Sequence, residues 1–330
     1  MPLLQRSSLL ITGGTGSFGK SFIRYALDNL DPTRLVVFSR DELKQYEARQ
    51  LFGDDPRLRW FIGDIRDQSR LLRAMHGVDY VVHAAALKQV DTAEYNPFEF
   101  VKTNVLGSQN VIEAAIDSGV KKVVALSTDK ASSPINLYGA TKLTADKLFI
   151  SGNHYAAAYP TRFAVVRYGN VMGSRGSVIP FFRRLAEAGQ PLPITDLRCT
   201  RFFISLGQAV RMVVDAFDHM QGGELFVPRI PSMKVVDLAQ AIAPGAAMTD
   251  VGLRPGEKLH EEMISPEEGR RALALSGGRY FVIQPDLAGW GYRAPEAATP
   301  VPADFSYRSN TNDQWYTSAQ IAELLAGKEF

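Results

Sequence analysis

The beginning of the chain constrains the fold most, because a buried strand there runs through a glycine-rich turn straight into a helix. Residues 8–11 form a short, mainly apolar run of the kind that makes buried strands. The turn at 12–19 follows, and large apolar residues then recur at helical spacing over 22–30. Such a turn lets the backbone approach a pyrophosphate, and the helix N-terminus favours the anion. The glycines are spaced three and three rather than two and three. A nucleotide site is favoured, with a simple tight turn as the alternative.

The alternation of strand and helix continues through the first half of the chain. Further strands are predicted at 34–38, 58–62, 78–82, 121–126 and 163–167. Intervening helices are predicted through 104–112 and from about 136 to 149. This order predicts an α/β fold, a Rossmann-like parallel sheet wound on both faces. Ligands then bind beyond the carboxyl ends of the strands.

The residues after three of these strands indicate the cofactor. An acidic residue after the second strand would hold a ribose 2′-hydroxyl and repel a 2′-phosphate, whereas this chain has Arg40, with Lys44 one turn on. Arg40 can form paired hydrogen bonds to phosphate, which favours NADP over NAD, although Asp41 leaves a solvated loop cation as the alternative. Asp64 either accepts a bond from an adenine amino group or caps the following helix. The small residues at 84–86 leave room for a cofactor.

A group of proton-transferring side chains follows the strand at 121–126. Tyr138 and Lys142 are four residues apart, which puts both on one face of a helix. A nearby ammonium favours the phenolate, so Tyr138 can exchange a proton with a substrate hydroxyl. Asp129 and Lys130 add an acid and a potential base, more than alcohol oxidation needs. The group therefore suggests that C–H and C–O bonds are also broken. Taken alone, the Tyr–Lys pair also fits a solvated helix surface.

The second half of the chain is predicted to hold a phosphorylated ligand. After about residue 170 the chain turns to short, proline-bounded elements with cations. Arg175, Arg201 and Arg254 each suit a solvated surface, but together they favour a diphosphate site. We predict an NADP-binding Rossmann domain at 1–170, to which 203–222 returns, and a smaller substrate domain at 171–202 and 223–330. Within it we expect a surface linker at 294–302 and a final helix capped by Thr317 or Ser318.

Composition excludes several other classes of protein. A net charge of +2 over 330 residues gives no reason to expect a nucleic-acid surface. No apolar stretch is long enough to span a bilayer, so no membrane partner is expected. The one cysteine, Cys199, cannot form a disulfide within the chain, which favours the cytoplasm and a core or loop role. Residues 260–262 lack the second histidine of a zinc helix, and no metal is expected.

Several of these motifs together resemble a known family. They lie at 13–19, 39–44, 84–88, 93–97, 126–130, 134–142, 166–171, 173–177 and 254–258. The chain resembles the extended short-chain dehydrogenase/reductase family of nucleotide-sugar enzymes, and most closely its C5-inverting UDP-N-acetylglucosamine 4,6-dehydratases. Gln89 and Asp91 depart from the His and Pro expected in that family, which leaves the rim near Lys88 less defined. Residues 286–302 also differ.

The resemblance implies a lyase that uses a tightly bound and recycled NADP. Tyr138 takes the proton of the sugar 4-hydroxyl while NADP⁺ takes the C4 hydride, and Lys142 lowers the Tyr138 pKa and holds the ribose. Thr128 hydrogen-bonds the 4-oxygen. Lys130, made neutral by burial, removes the C5 proton, and Asp129 protonates the departing 6-hydroxyl. The hydride returns to C6 and C5 is reprotonated on the opposite face, which gives UDP-2-acetamido-2,6-dideoxy-β-L-arabino-hexos-4-ulose and water.

The resemblance also implies binding residues, a pathway and an assembly. For the cofactor they are Thr15, Gly16, Ser17, Phe18, Gly19, Ser39, Arg40, Lys44, Asp64, Ile65, Ala84, Ala85, Tyr138, Lys142 and Val171. For UDP-N-acetylglucosamine they are Lys88, Asn170, Arg175, Gly176, Ser177, Val178, Ile179, Thr195, Arg201, Arg254 and Glu257. The expected product leads towards pseudaminic acid and flagellin glycosylation, and a homo-oligomer from dimer to hexamer is expected.

Three functions compete at this stage. The first is the inverting dehydratase. The second is a retaining 4,6-dehydratase or a UDP-N-acetylglucosamine epimerase, since retaining relatives of the family carry Glu where Lys130 stands. The third is a regulator that senses NADP without turnover, which the intact set of Asp129, Lys130, Tyr138 and Lys142 disfavours.

Overall fold

The structure, a computed structural model, describes residues 3–174, 177–287, 289–295 and 298–326. Its strands are β1 Ser8–Thr12, β2 Arg34–Ser39, β3 Leu58–Ile62, β4 Tyr80–His83, β5 Lys122–Thr128, β6 Arg162–Tyr168, β7 Asn170–Val171, β8 Leu192–Ile194, β9 Thr200–Ile204, β10 Leu225–Pro228, β11 Ser232–Lys234, β12 Met248–Asp250, β13 Glu262–Ile264, β14 Ala272–Ala274, β15 Tyr280–Ile283, β16 Thr299–Pro300 and β17 Tyr307–Arg308.

Its helices are α1 Ser17–Tyr25, α2 Glu42–Phe52, α3 Gln68–Met75, α4 Val90–Tyr95, α5 Pro97–Phe100, α6 Gly107–Asp117, α7 Leu137–Tyr155, α8 Val178–Glu187, α9 Leu206–His219, α10 Val235–Ile242, α11 Pro266–Gly269 and α12 Ser318–Ala326. Two π-helical stretches, Ala26–Leu30 and Val101–Leu106, continue α1 and precede α6. A 3₁₀ turn at Asp129–Ala131 follows β5 directly, and it carries two of the predicted catalytic residues.

Within the described residues the central sheet has ten strands, and it confirms the predicted fold class. Seven of them run parallel in the order β3-β2-β1-β4-β5-β6-β10. This is the doubly wound order, in which the connection reverses direction between β1 and β4. Strands β1, β2 and β5 are buried along nearly their whole length because helices cover both faces of the sheet. The carboxyl ends of β1, β2, β4 and β5 therefore meet at one edge.

The second half of the chain extends this sheet, which the sequence analysis did not predict. Strands β15, β14 and β16 add to β10 in antiparallel fashion. The predicted linker at 294–302 is accordingly not all linker, since Thr299–Pro300 pairs as the edge strand; its residues 296–297 lie outside the described part of the chain. Helix α9 begins at a capping box of Ser205 and Gln208 and packs on α1, β5 and β6. The division into two domains stays a prediction.

Smaller sheets form the other wall of the site. In these sheets β9 pairs with both β11 and β7, β12 pairs with β8, and β13 pairs with β17. Helices α8, α10 and α12 enclose a small apolar core of Met172, Ile179, Phe203, Met233, Leu238 and Ile321. Of the two predicted caps of the last helix, Thr317 fills the role, because its hydroxyl accepts a bond from the Gln320 N–H at 3.3 Å. No helix in the described residues is long and apolar enough to cross a membrane.

A buried charge network joins the two halves beneath the site. Arg167 of β6 is completely buried. Its guanidinium donates to Glu268 at 2.8 Å, to the Met263 carbonyl at 2.9 Å and to Asp146 at 3.4 Å. The hydroxyl of Ser127 also donates to Asp146, at 2.7 Å. Arg167 is thus held by α7 and by the segment from β13 to α11, and β5 supports it through the contact of Ser127 with Asp146.

Candidate active site

The glycine-rich turn forms a cradle that a side chain would fill. A Cβ on Gly13, whose φ is +67°, would lie 2.9 Å from the Ala85 backbone. A Cβ on Gly19 would lie 2.4 Å from the Gly14 carbonyl oxygen, so glycine is needed for α1 to start so close to the turn. Gly16, which precedes α1, would meet only a carbonyl oxygen at 3.3 Å. The turn therefore combines close backbone packing with an open helix N-terminus, which fits a pyrophosphate.

The end of β2 presents one available cation. Arg40 is exposed, and no hydrogen bond or ion pair engages its guanidinium in the described residues. Hydrogen bonds from Lys44 lower the pKa of Asp41, and the charge of Arg40 adds a smaller effect. Lys44 is instead paired with Asp41 at 2.9 Å. The buried Ser39 hydroxyl accepts a bond from Gln45 at 3.0 Å. Of the two predicted phosphate-reading cations, only Arg40 is uncommitted.

The turn after β3 decides between the two roles considered for Asp64, an adenine contact and a helix cap. The predicted capping role is wrong, because Asp67 caps α3 by accepting from the Arg70 N–H at 3.0 Å. Asp64 is instead paired with Arg66 at 2.7 Å. Burial alone would raise the pKa of Asp64, but the Arg66 guanidinium lowers it. The neighbouring Ile65 is buried and belongs to the main hydrophobic core.

Tyr138 and Lys142 share a buried face of α7. The helix starts at Asn136, whose side chain accepts from the Gly139 N–H at 2.8 Å. Lys142 donates to the Leu126 carbonyl at 2.7 Å, and burial lowers its pKa. Burial also raises the pKa of Tyr138 to about 12, opposed chiefly by the charge of Lys130. The structure thus departs from the expectation that Lys142 lowers the Tyr138 pKa.

Asp129 and Lys130 are held together beside a third charged residue, Glu261. The Lys130 Nζ lies 3.1 Å from Asp129 Oδ1 and 3.2 Å from Glu261 Oε1. The hydroxyl of Thr128 donates to the same Asp129 oxygen at 2.9 Å. Burial alone would lower the pKa of Lys130, but the two carboxylates raise it. The expectation that burial makes Lys130 neutral is therefore wrong for this state of the protein.

A cleft opens directly beyond these groups. Its lining includes Lys130, Asn170, Arg201, Arg254, Glu257 and Glu261. Glu257 organises the far wall, since it pairs with the buried Arg201 at 2.8 Å and accepts from Arg254 at 3.2 Å. Thr195 donates to Glu257 at 3.2 Å. Arg254 is the more available cation, because 62% of its side chain is exposed.

Other predicted residues fall into separate groups. Asn170 and Val171 form β7 beside β9. Val178 and Ile179 pack into the small core of α8, while the hydroxyl of Ser177 is buried without a partner in the described residues. Lys88 is exposed just before α4, and Asp91 lies 3.9 Å from Arg254. Arg175 and Gly176 lie outside the described residues.

Three residues of the cleft were missed by the sequence analysis. Asn136 donates to the Gly256 carbonyl at 2.8 Å, and Lys258 donates to the Ser132 carbonyl at 2.6 Å. Glu261 was noticed only within a rejected zinc motif. Its contact with Lys130 joins residues 131 positions apart, so no local sequence pattern predicts it. No cluster of metal-ligating side chains occurs within the described ranges.

Comparison with known proteins decides the family. Residues 9–284 match the family model described as "Polysaccharide biosynthesis protein". The chain belongs to this family. It is 49% identical over 331 residues to the UDP-N-acetylglucosamine 4,6-dehydratase (inverting) of Campylobacter jejuni subsp. jejuni serotype O:2, covering 98% of each chain. It is also 44% identical over 287 residues to a UDP-glucose 4-epimerase of Rickettsia canadensis, covering 84% of this chain and 83% of that one.

Solved structures agree with this assignment. Pen from Bacillus thuringiensis superposes with a TM-score of 0.90 at 39% identity, covering 98% of each chain. DesIV, a dTDP-glucose 4,6-dehydratase from Streptomyces venezuelae with NAD and TYD bound, gives a TM-score of 0.71 at 26% identity over 86% of this chain and 93% of that one. The predicted resemblance to nucleotide-sugar dehydratases of the extended short-chain type is confirmed.

Proposed function

We propose that this protein is a C5-inverting UDP-N-acetylglucosamine 4,6-dehydratase. The observation that carries the proposal is the convergence of Tyr138 with the Asp129–Lys130 pair at the end of β5, next to the cleft. The full-length relative named as an inverting dehydratase supports the same reaction. The product is UDP-2-acetamido-2,6-dideoxy-β-L-arabino-hexos-4-ulose, formed with loss of one water. The protein acts as a lyase in the cytoplasm on the way to pseudaminic acid and flagellin glycosylation, as a homo-oligomer.

The cofactor of this proposal is NADP, bound across the carboxyl ends of β1, β2 and β4. Residues 15–19 would hold its pyrophosphate at the start of α1, and Arg40 its 2′-phosphate. Tyr138 and Lys142 would hold the nicotinamide ribose. When bound, the nicotinamide would supply a hydride acceptor for C4 and a hydride donor for C6, so that no net redox change would remain. The bound NAD of DesIV supports a dinucleotide here, and Arg40 favours the 2′-phosphate.

The first task of the protein is to remove the proton of the sugar 4-hydroxyl. Tyr138 takes this proton as general base, and Thr128 hydrogen-bonds the 4-oxygen. The raised pKa of Tyr138 in this state means that the phenol must be activated by neighbouring positive charge. Lys130 is the cation whose charge already acts on Tyr138. Oxidation at C4 then acidifies the C5 hydrogen.

The second task is to remove the C5 proton and the 6-hydroxyl. One proton moved from Lys130 to Asp129 along their 3.1 Å contact creates a neutral amine and a carboxylic acid together. Lys130 then takes the C5 proton, and Asp129 gives its proton to the departing hydroxyl, which leaves as water. Both residues return to their starting charges, so the step balances. A water molecule afterwards protonates C5 from the face opposite Lys130, which inverts it, and the proton that Tyr138 took from the 4-hydroxyl returns to solvent.

The far wall of the cleft is proposed to hold the UDP part of the substrate. Arg254 and Arg201 would bind the diphosphate, since guanidinium groups pair well with phosphate oxygens. Glu257 already orients both cations. Thr195, Asn170 and the segment 175–179 would complete the site, with Lys88 at the rim.

The proposal is tested by following the early product in deuterated water. UDP-N-acetylglucosamine should lose one water, gain deuterium at C5 and carry its original C4 hydrogen at C6. The product should have the L-arabino configuration at early times, before free epimerisation. An early D-xylo product would identify a retaining dehydratase. A change at C4 without loss of water would identify an epimerase, the activity named for the Rickettsia relative. Binding without any turnover would favour a regulator.

A further inference from the structure

We infer that Glu261 is a positioning residue of the elimination step. It holds the Lys130 amine beside Asp129, and its negative charge stabilises the ammonium that Lys130 becomes when it takes the C5 proton. This inference rests on the proposed function. It concerns a residue that the sequence analysis did not assign, located 131 positions from its partner.

Geometry and burial place Glu261 in this role. Only 2% of Glu261 is exposed, and Oε1 lies 3.2 Å from Lys130 Nζ. Asp129, which is fully buried, holds the same nitrogen at 3.1 Å. Burying a carboxylate costs free energy unless an opposite charge lies close to it. For Glu261 the cation in contact is Lys130. Lys130 is thereby fixed between two carboxylates at the edge of the cleft.

Each carboxylate also keeps one oxygen without a partner. Asp129 Oδ2 and Glu261 Oε2 are buried and accept no hydrogen bond in the part of the chain that the structure describes. Unpaired buried oxygens of this kind are rare and call for a functional or ligand-linked explanation. A carboxylate that must accept or release a proton during a reaction is such an explanation. Asp129 has this task in the elimination proposed above.

The charges around Lys130 leave Glu261 a distinct task. Those that face it from its own and neighbouring elements are Asp129, Glu261, Tyr138, Arg201 and Lys258. When Asp129 takes the Lys130 proton, it loses its charge. Glu261 then remains as the carboxylate in contact with the Lys130 amine. The growing ammonium is therefore stabilised as Lys130 removes the C5 proton, and no group has to move.

Arg201 offers the competing explanation, in which Glu261 only balances a buried cation. The Arg201 Nε lies 3.8 Å from Glu261 Oε1, longer than the Lys130 contact. Arg201 has a closer carboxylate of its own, Glu257 at 2.8 Å, and it also donates to two backbone carbonyls. The direct hydrogen bonds of Arg201 are thus made without Glu261, although the charge of Glu261 also opposes the effect of burial and raises the Arg201 pKa. A purely structural role for Glu261 predicts lost stability without a specific block in the reaction.

The experiment compares Glu261→Gln and Glu261→Asp with a matched neighbour. Glu262→Gln is the control, because Glu262 accepts from Ser132 and Ser133 at 3.0 and 2.7 Å and not from Lys130. Glu261→Gln should lower kcat about 10- to 150-fold, the effect of losing a hydrogen bond to a charged group, with little change in KM. Glu261→Asp, which keeps the charge, should recover most of this loss. Glu262→Gln should stay within a few-fold of wild type.

Two further readouts separate positioning from mere stability. Under single-turnover conditions, Glu261→Gln should accumulate reduced nicotinamide, because C4 oxidation proceeds while elimination stalls. In the ligand-free wild-type protein, Lys130 followed by NMR should still be an ammonium at pH 10.5, the ordinary pKa of a lysine, because the carboxylates of Asp129 and Glu261 raise its pKa. In Glu261→Gln its pKa should fall by about one to three units, the range for loss of an adjacent opposite charge.

The outcomes are distinguishable from failure of the proposed function. A Glu261→Gln variant with wild-type kcat, or one that loses activity with neither reduced nicotinamide nor an altered Lys130 titration, overturns the inference. If Glu261→Gln does not fold, Glu261→Asp decides it: the Lys130 titration and the rate of C4 oxidation should both stay near wild type, and slowed C4 oxidation would overturn the inference. A wild-type protein that forms no 4-keto product refutes the function, whereas the Lys130 titration still reports on the Glu261 contact.

Discussion

Substitution of Gly139 by Ala should separate catalysis from stability. Gly139 follows Tyr138 in α7, and a Cβ there would lie only 2.2 Å from the Lys130 carbonyl oxygen. An ordinary contact of 3.4 Å requires the two to move apart by about 1.2 Å, from 3.4 less 2.2. The obstacle is backbone and cannot rotate away. The 3₁₀ turn that carries Asp129 and Lys130 must therefore shift relative to Tyr138.

The change in unfolding free energy of Gly139→Ala is the sum of two opposing effects. Ala in place of Gly inside a helix gains about 0.5–1 kcal/mol, whereas overpacking costs about 1–3 kcal/mol. The net loss of unfolding free energy should thus be no more than about 2.5 kcal/mol. Misplacing catalytic groups by about 1 Å costs about 100-fold in rate. Gly139→Ala should therefore fold and bind substrate while kcat falls about 100-fold.

The assay is the initial rate of 4-keto sugar formation, with thermal melting measured on the same samples. Gly152→Ala is the matched control in the same helix, because its Cβ would first meet side chains, at 3.1 Å from Ile112 and 3.2 Å from Phe163. Those side chains can adjust, so Gly152→Ala should keep kcat within a few-fold. A Gly139→Ala protein that turns over at the wild-type rate would refute the argument that α7 sets the register of the 3₁₀ turn.

Four further predictions concern single side chains. Arg40→Ala should weaken NADP binding by about 1.5–3 kcal/mol and leave NAD nearly unchanged, as measured by titration of both cofactors; equal losses would exclude a 2′-phosphate contact. Tyr138→Phe should keep cofactor and substrate binding but lose most turnover, and a wild-type kcat would place the 4-hydroxyl base elsewhere. Arg254→Ala should raise KM for the UDP-sugar more than it lowers kcat, and the reverse pattern would contradict a diphosphate role. Burial, with a smaller effect of the Lys142 charge, lowers the pKa of His83 to about 3 from its ordinary 6.5. The unfolded chain therefore binds a proton that the folded one does not, so stability should fall as pH drops from 6.5 towards 3; denaturant titrations of His83→Gln should show a flatter dependence.

Sequence patterns predicted the parallel half of the sheet well, because each strand there is a continuous apolar run followed by a turn. The predicted strands at 34–38 and 58–62 correspond to β2 and β3 with ends differing by at most one residue. The antiparallel extension was missed, since β14 and β16 are only three and two residues long. Such short strands are defined by their partners across the sheet rather than by any periodicity of their own.

The sequence indicated which residues meet in the candidate site better than it indicated which of them are charged. Asp129, Lys130 and Tyr138 come together as their spacing around β5 and α7 suggested. The charge of Lys130 could not be predicted, because it depends on Glu261, which approaches from a distant part of the chain. Asp64 shows the same limit at short range. Asp64 and Asp67 are both residues that favour the N-cap of α3, and only the backbone geometry shows that Asp67 is the cap.

The burial of Arg167 has a consequence for how the chain can fold. The guanidinium is surrounded by groups from both halves, with Asp146 before it in sequence and Met263 and Glu268 well after it. A fragment that ends before Met263 would leave Arg167 with Asp146 alone, and breaking a buried ion pair in this way costs about 3–5 kcal/mol. The half of the chain up to residue 170 should therefore be less stable as a separate fragment than within the whole protein. Its stability depends on a segment that begins 96 positions after Arg167, which couples the sheet to the segment from β13 to α11.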